Sequence, residues 1–368
     1  MAPSSDDPME QADTALFGER LLRIIDEGRR VATYKLALLL ALLDACATES
    51  GPTGAAPLSL HTRAVAVHVL RLYLPQSTDF VVGKQSVVLR QITTPKSQML
   101  SMIAELHRTG DVTGCRTLDD IRTKHPEAYR STLDEVERTF ARYPIRLLQV
   151  VNGQGLPFLY DIDWDERVSL RSLHRDGGGL IRFRPGASDA LLRLGPLMRP
   201  LIETHWTRMV AAINRIDLEE ERLRAHLFGT SRRAFPHALR RDLAELHEGR
   251  CFYCDRLLRH RFDLDHLIPW SRFPNDAIEN LVPADPRCNN AKSDTLPAIP
   301  HVSRWAKQIE ASRSDLREMA QQSRWLTDSP HTLAIARSTY RHLATGTPLW
   351  LERGRVELFD GSSTVPWL

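Results

Sequence analysis

The sequence predicts a mostly helical α+β protein, with an N-terminal helical domain, a small β-containing middle segment and a C-terminal domain around a short strand, loop, strand and helix. Apolar residues recur with helical spacing from residue 14 to residue 142. After residue 145 apolar and polar residues begin to alternate, a period near two that is typical of strands. A compact cluster of cysteines and polar residues follows residue 250. The predicted domains span residues 1–144, 145–228 and 229–368.

Length and composition describe an ordinary globular chain. With 368 residues, 42% of them hydrophobic and 26% charged, it is long enough for two or three domains and is neither disordered nor fibrous. The longest apolar stretch, residues 36–45, is far shorter than the roughly 20 residues that a bilayer requires. The N-terminus is acidic, unlike a signal peptide. We therefore expect a cytoplasmic protein without a membrane-spanning segment.

The N-terminal domain is predicted to be a packed helical scaffold. Its helices are indicated at residues 16–25, 34–46, 61–74, 97–107 and 127–140. Gly and Pro predict a loop at 49–57. Basic and acidic residues balance over residues 1–150, so this region does not have the charge of an electrostatic DNA clamp. We expect it to supply target choice, partner binding or regulation.

The middle segment and the tail show weaker patterns. Alternation predicts a hairpin from strands 145–151 and 157–163, a further strand at 180–184, and a long connecting helix at 190–227. The tail predicts helices at 302–322 and 332–344 and a strand-like piece at 349–359.

The segment 251–294 carries the residues that suggest chemistry. Its pattern predicts, in order, a strand at 262–265, a loop at 269–275, a second strand at 281–282 and a helix at 287–293. This arrangement would bring four polar residues into one cleft: Asp265, His266, Asn280 and Asn289.

These residue types suit phosphodiester hydrolysis. Carboxylate and amide oxygens are ligands that Mg²⁺ or Mn²⁺ prefers, so Asp265 and Asn289 are predicted to hold such an ion. An ion there would polarise the scissile phosphate and stabilise the leaving oxygen. His266 is the predicted general base, because an imidazole titrates near neutral pH. Asn280 is predicted to hold the loop or the imidazole, and Lys292, near Asn289 on the same helix, to face the phosphate.

At this point the segment resembles the HNH endonucleases with the ββα-metal motif. The resemblance rests on DHLIP at 265–269, NL at 280–281 and CN at 288–289, followed by KSD at 292–294. The first asparagine lies fourteen residues after the histidine. This His-Asn-Asn variant is also similar to the HNH lobe of RNA-guided DNA nucleases. The resemblance covers residues 251–294 only.

The resemblance implies a metal-dependent endonuclease that hydrolyses DNA directly, without a covalent intermediate. His266 would take the proton of the attacking water, Asn280 would be the middle asparagine, and Asn289 would replace the family's final metal-ligating histidine. Stand-alone proteins of this kind with large companion domains resemble restriction and phage-defence nucleases, which suggests that biological role.

Three cysteines belong to the same segment. Many HNH modules close their base with two CxxC pairs around a structural zinc, and Cys251, Cys254 and Cys288 occupy three of those positions. Asp285 stands at the fourth, and Zn²⁺ accepts carboxylate oxygen as well as thiolate. Alternatives are that His247 or His260 is the fourth ligand, or that the thiols are reduced and buried without zinc.

Arginines around the motif suggest contacts with DNA phosphates. The window 229–261 holds eight arginines against four acidic residues. Four arginines are predicted to bind the backbone, with a solvated surface role as the alternative: Arg259, Arg261, Arg272 and Arg287.

Two other functions stay open from the sequence. One is a zinc-stabilised nucleic-acid-binding protein with a vestigial nuclease centre, which the presence of all four cleft residues argues against. The other is a nuclease effector that cleaves RNA or is a secreted toxin, and the acidic N-terminus, unlike a signal peptide, argues against export.

Overall fold

The computed structural model of the chain divides into two compact units. It describes residues 8–26, 32–82, 85–94, 96–115, 117–151, 153–216, 220–228, 235–259 and 261–361. The N-terminal unit comprises Pro8–Glu49 and Pro57–Arg232, and the C-terminal unit comprises Ser50–Ala56 and Arg233–Leu368. The α+β, mostly helical prediction is confirmed. No helix in these ranges is long and apolar enough to cross a bilayer.

The N-terminal unit is a bundle of helices with small antiparallel sheets. Its helices are α1 (Pro8–Asp26), α2 (Tyr34–Thr48), α3 (Thr62–Tyr73), α4 (Gln98–Val112), α5 (Leu118–Lys124), α6 (Pro126–Arg142), α7 (Pro144–Leu147), α8 (Leu170–Leu173), α9 (Ala187–Asn214) and α10 (Glu220–Phe228). Its strands are β1 (Ser59–His61), β2 (Asp79–Val82), β3 (Gln85–Val88), β4 (Val150–Val151), β5 (Gln154–Gly155), β6 (Tyr160–Asp161) and β7 (Leu180–Phe183).

Helix α2 lies at the centre of this unit. Its residues from Leu36 to Leu43 are all buried, and it packs against α3 and α9. The charge inside this apolar stretch, Asp44, forms an ion pair with Arg199 of α9. A carboxylate buried among leucines needs such a partner, because an unpaired buried charge is strongly destabilising.

The middle segment does not form a separate unit. Strand β7 pairs with β6 on one side and with β1 on the other, so residues 145–228 lie in the same unit as the preceding helices. Residues 145–147, predicted as the start of a strand, lie in helix α7, because Pro144 has the backbone angle that begins a helix. The predicted connecting helix is divided between α9 and α10, and Arg215, with φ 55°, ends α9 in a left-handed conformation.

The C-terminal unit contains the motif segment and the tail. Its elements are α11 (His237–Leu246), β8 (Asp263–His266), β9 (Leu281–Ala284), α12 (Pro286–Lys292), α13 (Ile299–Ala311), α14 (Arg313–Ser323), α15 (Ser329–Arg341), β10 (Pro348–Glu352) and β11 (Arg355–Leu358). Strands β8 and β9 pair antiparallel, as do β10 and β11. The single helix predicted at 302–322 is two helices that break at Ser312.

The loop Ser50–Ala56, between α2 and β1, also belongs to the C-terminal unit. Ser50 Oγ donates a hydrogen bond to the carbonyl of Ala334 in α15 at 3.3 Å. Gly54 has φ +75°, and a Cβ there would lie 2.7 Å from the carbonyl oxygen of Arg337. Only glycine satisfies both the backbone angle and this close approach.

Candidate active site

The motif segment folds in the predicted order of strand, loop, strand and helix. In the β8–β9 ladder, Asp265 lies opposite Val282 and His266 opposite Leu281. Helix α12 follows β9 directly, begins at a proline and is capped by the side chain of Asp285, which accepts a hydrogen bond from Arg287 N at 2.8 Å. The strand and the helix therefore present the polar side chains of the motif to each other.

Asn280 clamps the loop between the two strands. Its side chain is fully buried, accepts a hydrogen bond from Ile268 N at 2.9 Å, and donates to the carbonyls of Ile268 at 3.1 Å and Asn275 at 3.0 Å. An amide is the side chain that can accept from an N–H and donate to two carbonyls at once. Asn280 therefore holds the loop; the imidazole has a different partner.

The neighbouring Glu279 ties the same loop to the start of α15. Its buried carboxylate accepts hydrogen bonds from the hydroxyls of Thr327 at 2.7 Å and Ser329 at 2.8 Å, and from Asp328 N at 3.1 Å. A buried carboxylate with three donors is well satisfied. The loop that follows the histidine is thus anchored at its far end.

His266 is held by an acidic residue that sequence reasoning missed. Its Nε2 lies 2.8 Å from Asp276 Oδ1, and its ring lies 5.6 Å from that of Trp270. The backbone of Asp276 is fixed in turn, because Trp325 Nε1 donates to its carbonyl at 2.7 Å. The sequence contained only a weak indication of Asp276, because it is a single carboxylate in a loop rich in Pro and Asn. Only the folded conformation of that loop determines which residue this carboxylate contacts. The carboxylate of Asp276 accepts a hydrogen bond from Nε2–H of His266, which leaves the lone pair of the ring on Nδ1.

Asp265 and Lys292 form a buried ion pair. Lys292 is 0% exposed, and its Nζ lies 3.0 Å from Asp265 Oδ2 and 3.1 Å from the carbonyl oxygen of His266. The hydroxyl of Tyr253 donates to the same carboxylate. Burial and the Asp265 carboxylate hold the pKa of Tyr253 well above its usual value, so this hydroxyl keeps its proton. The structure therefore places Lys292 inside the unit, where it faces a carboxylate, and not at the surface expected of a phosphate contact.

Asn289 contacts Asp263, a second residue that sequence reasoning missed. Its Nδ2 lies 3.1 Å from Asp263 Oδ2, and both side chains are partly exposed. Asp263 and Asp265 project from the same face of β8, because they are two residues apart in a strand. The alternation that predicted the strand was the signal that could have identified Asp263. Carboxylate and amide oxygens on one face fit an ion such as Mg²⁺ or Mn²⁺.

Three cysteines converge at the other end of the segment. The Sγ atoms of Cys251, Cys254 and Cys288 all lie within 4.8 Å of one another, the first and third buried and the second exposed. None forms a disulfide. Three thiols at this spacing fit a zinc ion, which also removes the repulsion between thiolates.

The fourth zinc ligand is not identified among the described residues. The carboxylate of Asp285 caps α12 and does not join the sulfur group, although its backbone N donates to Cys251 Sγ at 3.2 Å. His247 packs edge-on against Phe252, and burial with the nearby Arg304 guanidinium lowers its pKa to about 4. His260 lies outside the described residues.

The four arginines predicted to bind phosphate all retain unpaired guanidinium groups within the described ranges. Arg259, Arg261 and Arg287 are exposed, and Arg272 is partly buried. Other arginines nearby are already engaged, since Arg241 pairs with Asp242. Free, exposed guanidinium groups are the ones available to phosphate oxygens.

Comparison with protein-family models gives two matches that together cover most of the chain. Residues 14–227, more than half of the chain, match a domain of unknown function, DUF8808. Residues 249–298 match an HNH endonuclease model, which confirms the resemblance found in the motif. Neither the curated proteins nor the solved structures gave a match. The chain therefore belongs to the DUF8808 family, and its C-terminal unit carries an HNH endonuclease domain.

Proposed function

We propose that this chain is a metal-dependent endonuclease that hydrolyses phosphodiester bonds in DNA. The observation that carries the proposal is the arrangement on β8 within the HNH match. Strand β8 supplies two of the residues, His266 and Asp263. Asp276 orients the imidazole of His266, and Asn289 contacts the carboxylate of Asp263. A general base and a set of oxygen ligands are the two parts that metal-assisted hydrolysis requires.

His266 acts as the general base through Nδ1. The bond between Nε2 and Asp276 selects the tautomer with a proton on Nε2. Nδ1 has no hydrogen-bond partner in the described part of the chain, so its lone pair is available to a water. Taking that proton produces the hydroxide that attacks phosphorus, and Asp276 stabilises the imidazolium that forms.

Asp263, Asp265 and Asn289 are the residues that would hold the divalent cation, with Mg²⁺ or Mn²⁺ favoured by their oxygen donors. When bound, such an ion supplies charge stabilisation to the scissile phosphate and the leaving oxygen. The chain's own part is positional. Asn280 fixes the loop, and Lys292 with Tyr253 fixes the carboxylate of Asp265.

The decisive experiment compares the wild type with His266→Ala in a plasmid-cleavage assay with Mg²⁺ or Mn²⁺. We expect the variant to lose about 10²–10⁴-fold in rate, the contribution of a general base, with an unchanged circular dichroism spectrum. His107→Ala, at a partly buried histidine of the N-terminal unit, is the matched control. Equal rates for wild type and His266→Ala on both DNA and RNA would refute the enzyme proposal.

The same assay separates the alternative functions. Cleavage of RNA and not of DNA would identify an RNA-cleaving effector. Binding of DNA without cleavage, in either metal, would identify a zinc-stabilised binding protein with a vestigial centre.

Asp276 is proposed as a positioning residue for the base. An asparagine at 276 can donate to Nε2 and so favour the tautomer whose Nδ1 carries the proton and cannot act as a base. Asp276→Asn should therefore lower kcat by about tenfold or more and leave KM unchanged. Asp294→Asn, at an exposed carboxylate, is the control. A change in KM alone would assign Asp276 to substrate binding.

For the biological role we propose restriction or phage defence in the cytoplasm, with the N-terminal unit supplying target choice or contact with an activating partner. The support is the large companion domain attached to a small nuclease domain. The genes that flank this one provide the test, since a neighbouring methyltransferase or nucleotide-signal synthase would each indicate a different trigger.

A further inference from the structure

The N-terminal unit contains an open pocket of about 650 Å³ whose walls are mostly charged. Its walls come from the beginning of α3, from one face of α6, and from α8 with the residue that follows it. Arg130 and Asp134 lie one helical turn apart on α6, and Arg63 of α3 and Arg171 of α8 line the same pocket. The volume suits a small molecule or part of a larger one, and the charged walls indicate a charged ligand.

Glu137 of α6 holds two of the side chains that line this pocket. The carboxylate is fully buried, and its Oε2 accepts hydrogen bonds from Arg63 Nη1 at 3.0 Å and from His174 Nε2 at 2.8 Å. Its Oε1 accepts a hydrogen bond from the hydroxyl of Thr62 at 2.6 Å. Arg63 and His174 are therefore oriented before a ligand arrives, which lowers the entropic cost of binding one.

The glycine turn at 177–179 packs against the same elements. The carbonyl of Gly179 accepts a hydrogen bond from Thr62 N at 2.8 Å, and His61 Nε2 donates to the carbonyl of Leu173 at 3.2 Å. Gly179 has φ +63°, and a Cβ there would lie 2.7 Å from the carbonyl oxygen of Leu173. Only glycine permits this angle and this close approach, so the turn ties α8 to the beginning of α3.

Arg130 and Arg171 supply positive charge that no acidic group offsets. Both side chains are exposed, and neither guanidinium has a hydrogen-bond or ion-pair partner among the residues that the structure describes. Arg63 contacts its two carboxylates, Asp134 and Glu137, through Nη1 alone, so its Nε and Nη2 remain without a partner in the described ranges. The charge of Asp134 is offset by this ion pair. Three guanidinium groups with N–H donors to spare therefore line one pocket.

We propose that this pocket binds the phosphate group of a phosphorylated ligand. A guanidinium presents paired N–H donors that match two oxygens of a phosphate, which makes arginine the usual residue for recognising this group. A phosphate has more oxygens and more charge than a carboxylate, and it can bind several guanidinium groups at once. When protonated, His174 adds a donor at Nδ1, since its Nε2 remains bound to Glu137.

The phosphate can come from two sources with the same chemistry. It can belong to a small phosphate ester, or it can be a backbone phosphate of a nucleic acid. The balance of basic and acidic residues over 1–150 favours the small ester. This inference goes beyond the proposed cleavage, because it concerns a separate site in the N-terminal unit.

The test is calorimetric titration of the full chain with inorganic phosphate and with glucose 6-phosphate, in buffer without Mg²⁺ or Mn²⁺. We expect inorganic phosphate to bind saturably. Arg130→Ala and Arg171→Ala should each weaken that binding by about tenfold or more, the equivalent of one hydrogen bond to a charged group. Arg108→Ala, at an exposed arginine of α4 outside the pocket, is the matched control and should leave binding unchanged.

A second titration, with a fluorescently labelled DNA duplex at several salt concentrations, distinguishes the two sources. If the ligand is a backbone phosphate, Arg130→Ala and Arg171→Ala should weaken DNA binding and each reduce the salt slope by about one, and free phosphate should not bind saturably. If the ligand is a small ester, both variants should lose phosphate binding and bind DNA as the wild type does.

The proposal is overturned if neither titration responds to Arg130→Ala and Arg171→Ala. Because both arginines are exposed and unpaired within the described ranges, the variants should keep the melting temperature of the wild type, which checks that they fold. No cleavage is measured, so failure of the nuclease proposal would leave this result unchanged.

Discussion

Replacing Asn280 by alanine should release the loop that follows His266 and carries Asp276. The asparagine side chain makes three buried hydrogen bonds, with Ile268 N and with the carbonyls of Ile268 and Asn275. Alanine removes all three and leaves one N–H and two carbonyls without their side-chain partner.

The size of the effect follows from those three groups. A buried polar group left without a partner costs about 1–3 kcal/mol. Allowing for partial relaxation, Asn280→Ala should destabilise the loop by about 3–5 kcal/mol, which is at the severe end for a single substitution. Asn280→Asp keeps the acceptor for Ile268 N but turns an oxygen towards two carbonyls. The loss of stability caused by Asn280→Asp should therefore be smaller at low pH, where the protonated carboxyl can again donate a hydrogen bond to a carbonyl.

Hydrogen exchange measured by mass spectrometry reports the local destabilisation of the loop, on peptides that cover residues 264–284. A tenfold change in exchange corresponds to about 1.4 kcal/mol, so the loop amides should exchange about a hundredfold faster or more in Asn280→Ala. The control is Asn290→Ala, at an exposed asparagine of α12. Loop exchange within about threefold of that control, a difference below about 0.7 kcal/mol, would refute the clamp.

Three further predictions concern stability. Cys254→Ser should lose bound zinc and lower the unfolding midpoint of the C-terminal unit, whereas Cys115→Ser should do neither; protein purified without chelators that holds no zinc would exclude the site. Because His247 has a folded pKa of about 4 against about 6.5 when unfolded, the unfolded chain binds more protons between these values. Stability should fall by up to about 3 kcal/mol as pH drops from 6.5 to 4, and a His247→Leu variant that keeps the full slope would contradict this. Lys292→Met should cost about 3–5 kcal/mol in urea unfolding, since it strands a buried carboxylate, whereas exposed Lys307→Met should be neutral; equal midpoints would contradict the ion pair.

The motif could be predicted from the sequence because its signals are local. Alternation at 262–265 indicates a strand that ends at His266, and Pro286 indicates where a helix begins. The structure places β8 at Asp263–His266 and α12 at Pro286–Lys292. The cysteines were predictable too, because their spacing alone suggests a shared ligand.

Partners chosen by tertiary packing could not be predicted. Nothing in the sequence near Asp276 shows that its carboxylate meets His266, which lies ten positions earlier in the chain. Lys292 was predicted on the correct helix, but helical spacing does not show which face of the helix is buried. Lys292 lies on the face of α12 that packs towards β8, and it therefore pairs with Asp265. Strand β7 pairs with β1, which lies more than a hundred residues earlier in the chain. An alternating pattern predicts a strand but does not identify its pairing partner.

The loop Ser50–Ala56 has a consequence for how this protein can be divided or recombined. A nuclease fragment that starts at residue 233 lacks this segment, which contributes to the surface of α15 through Ser50 and Gly54. Such a fragment would expose a surface that the intact chain covers, and the remaining half would carry a loop without its support. Exchange of the HNH domain between proteins by a single crossover would therefore give one product with an uncovered surface on α15 and another with an unsupported loop. We therefore expect the two units to be inherited together.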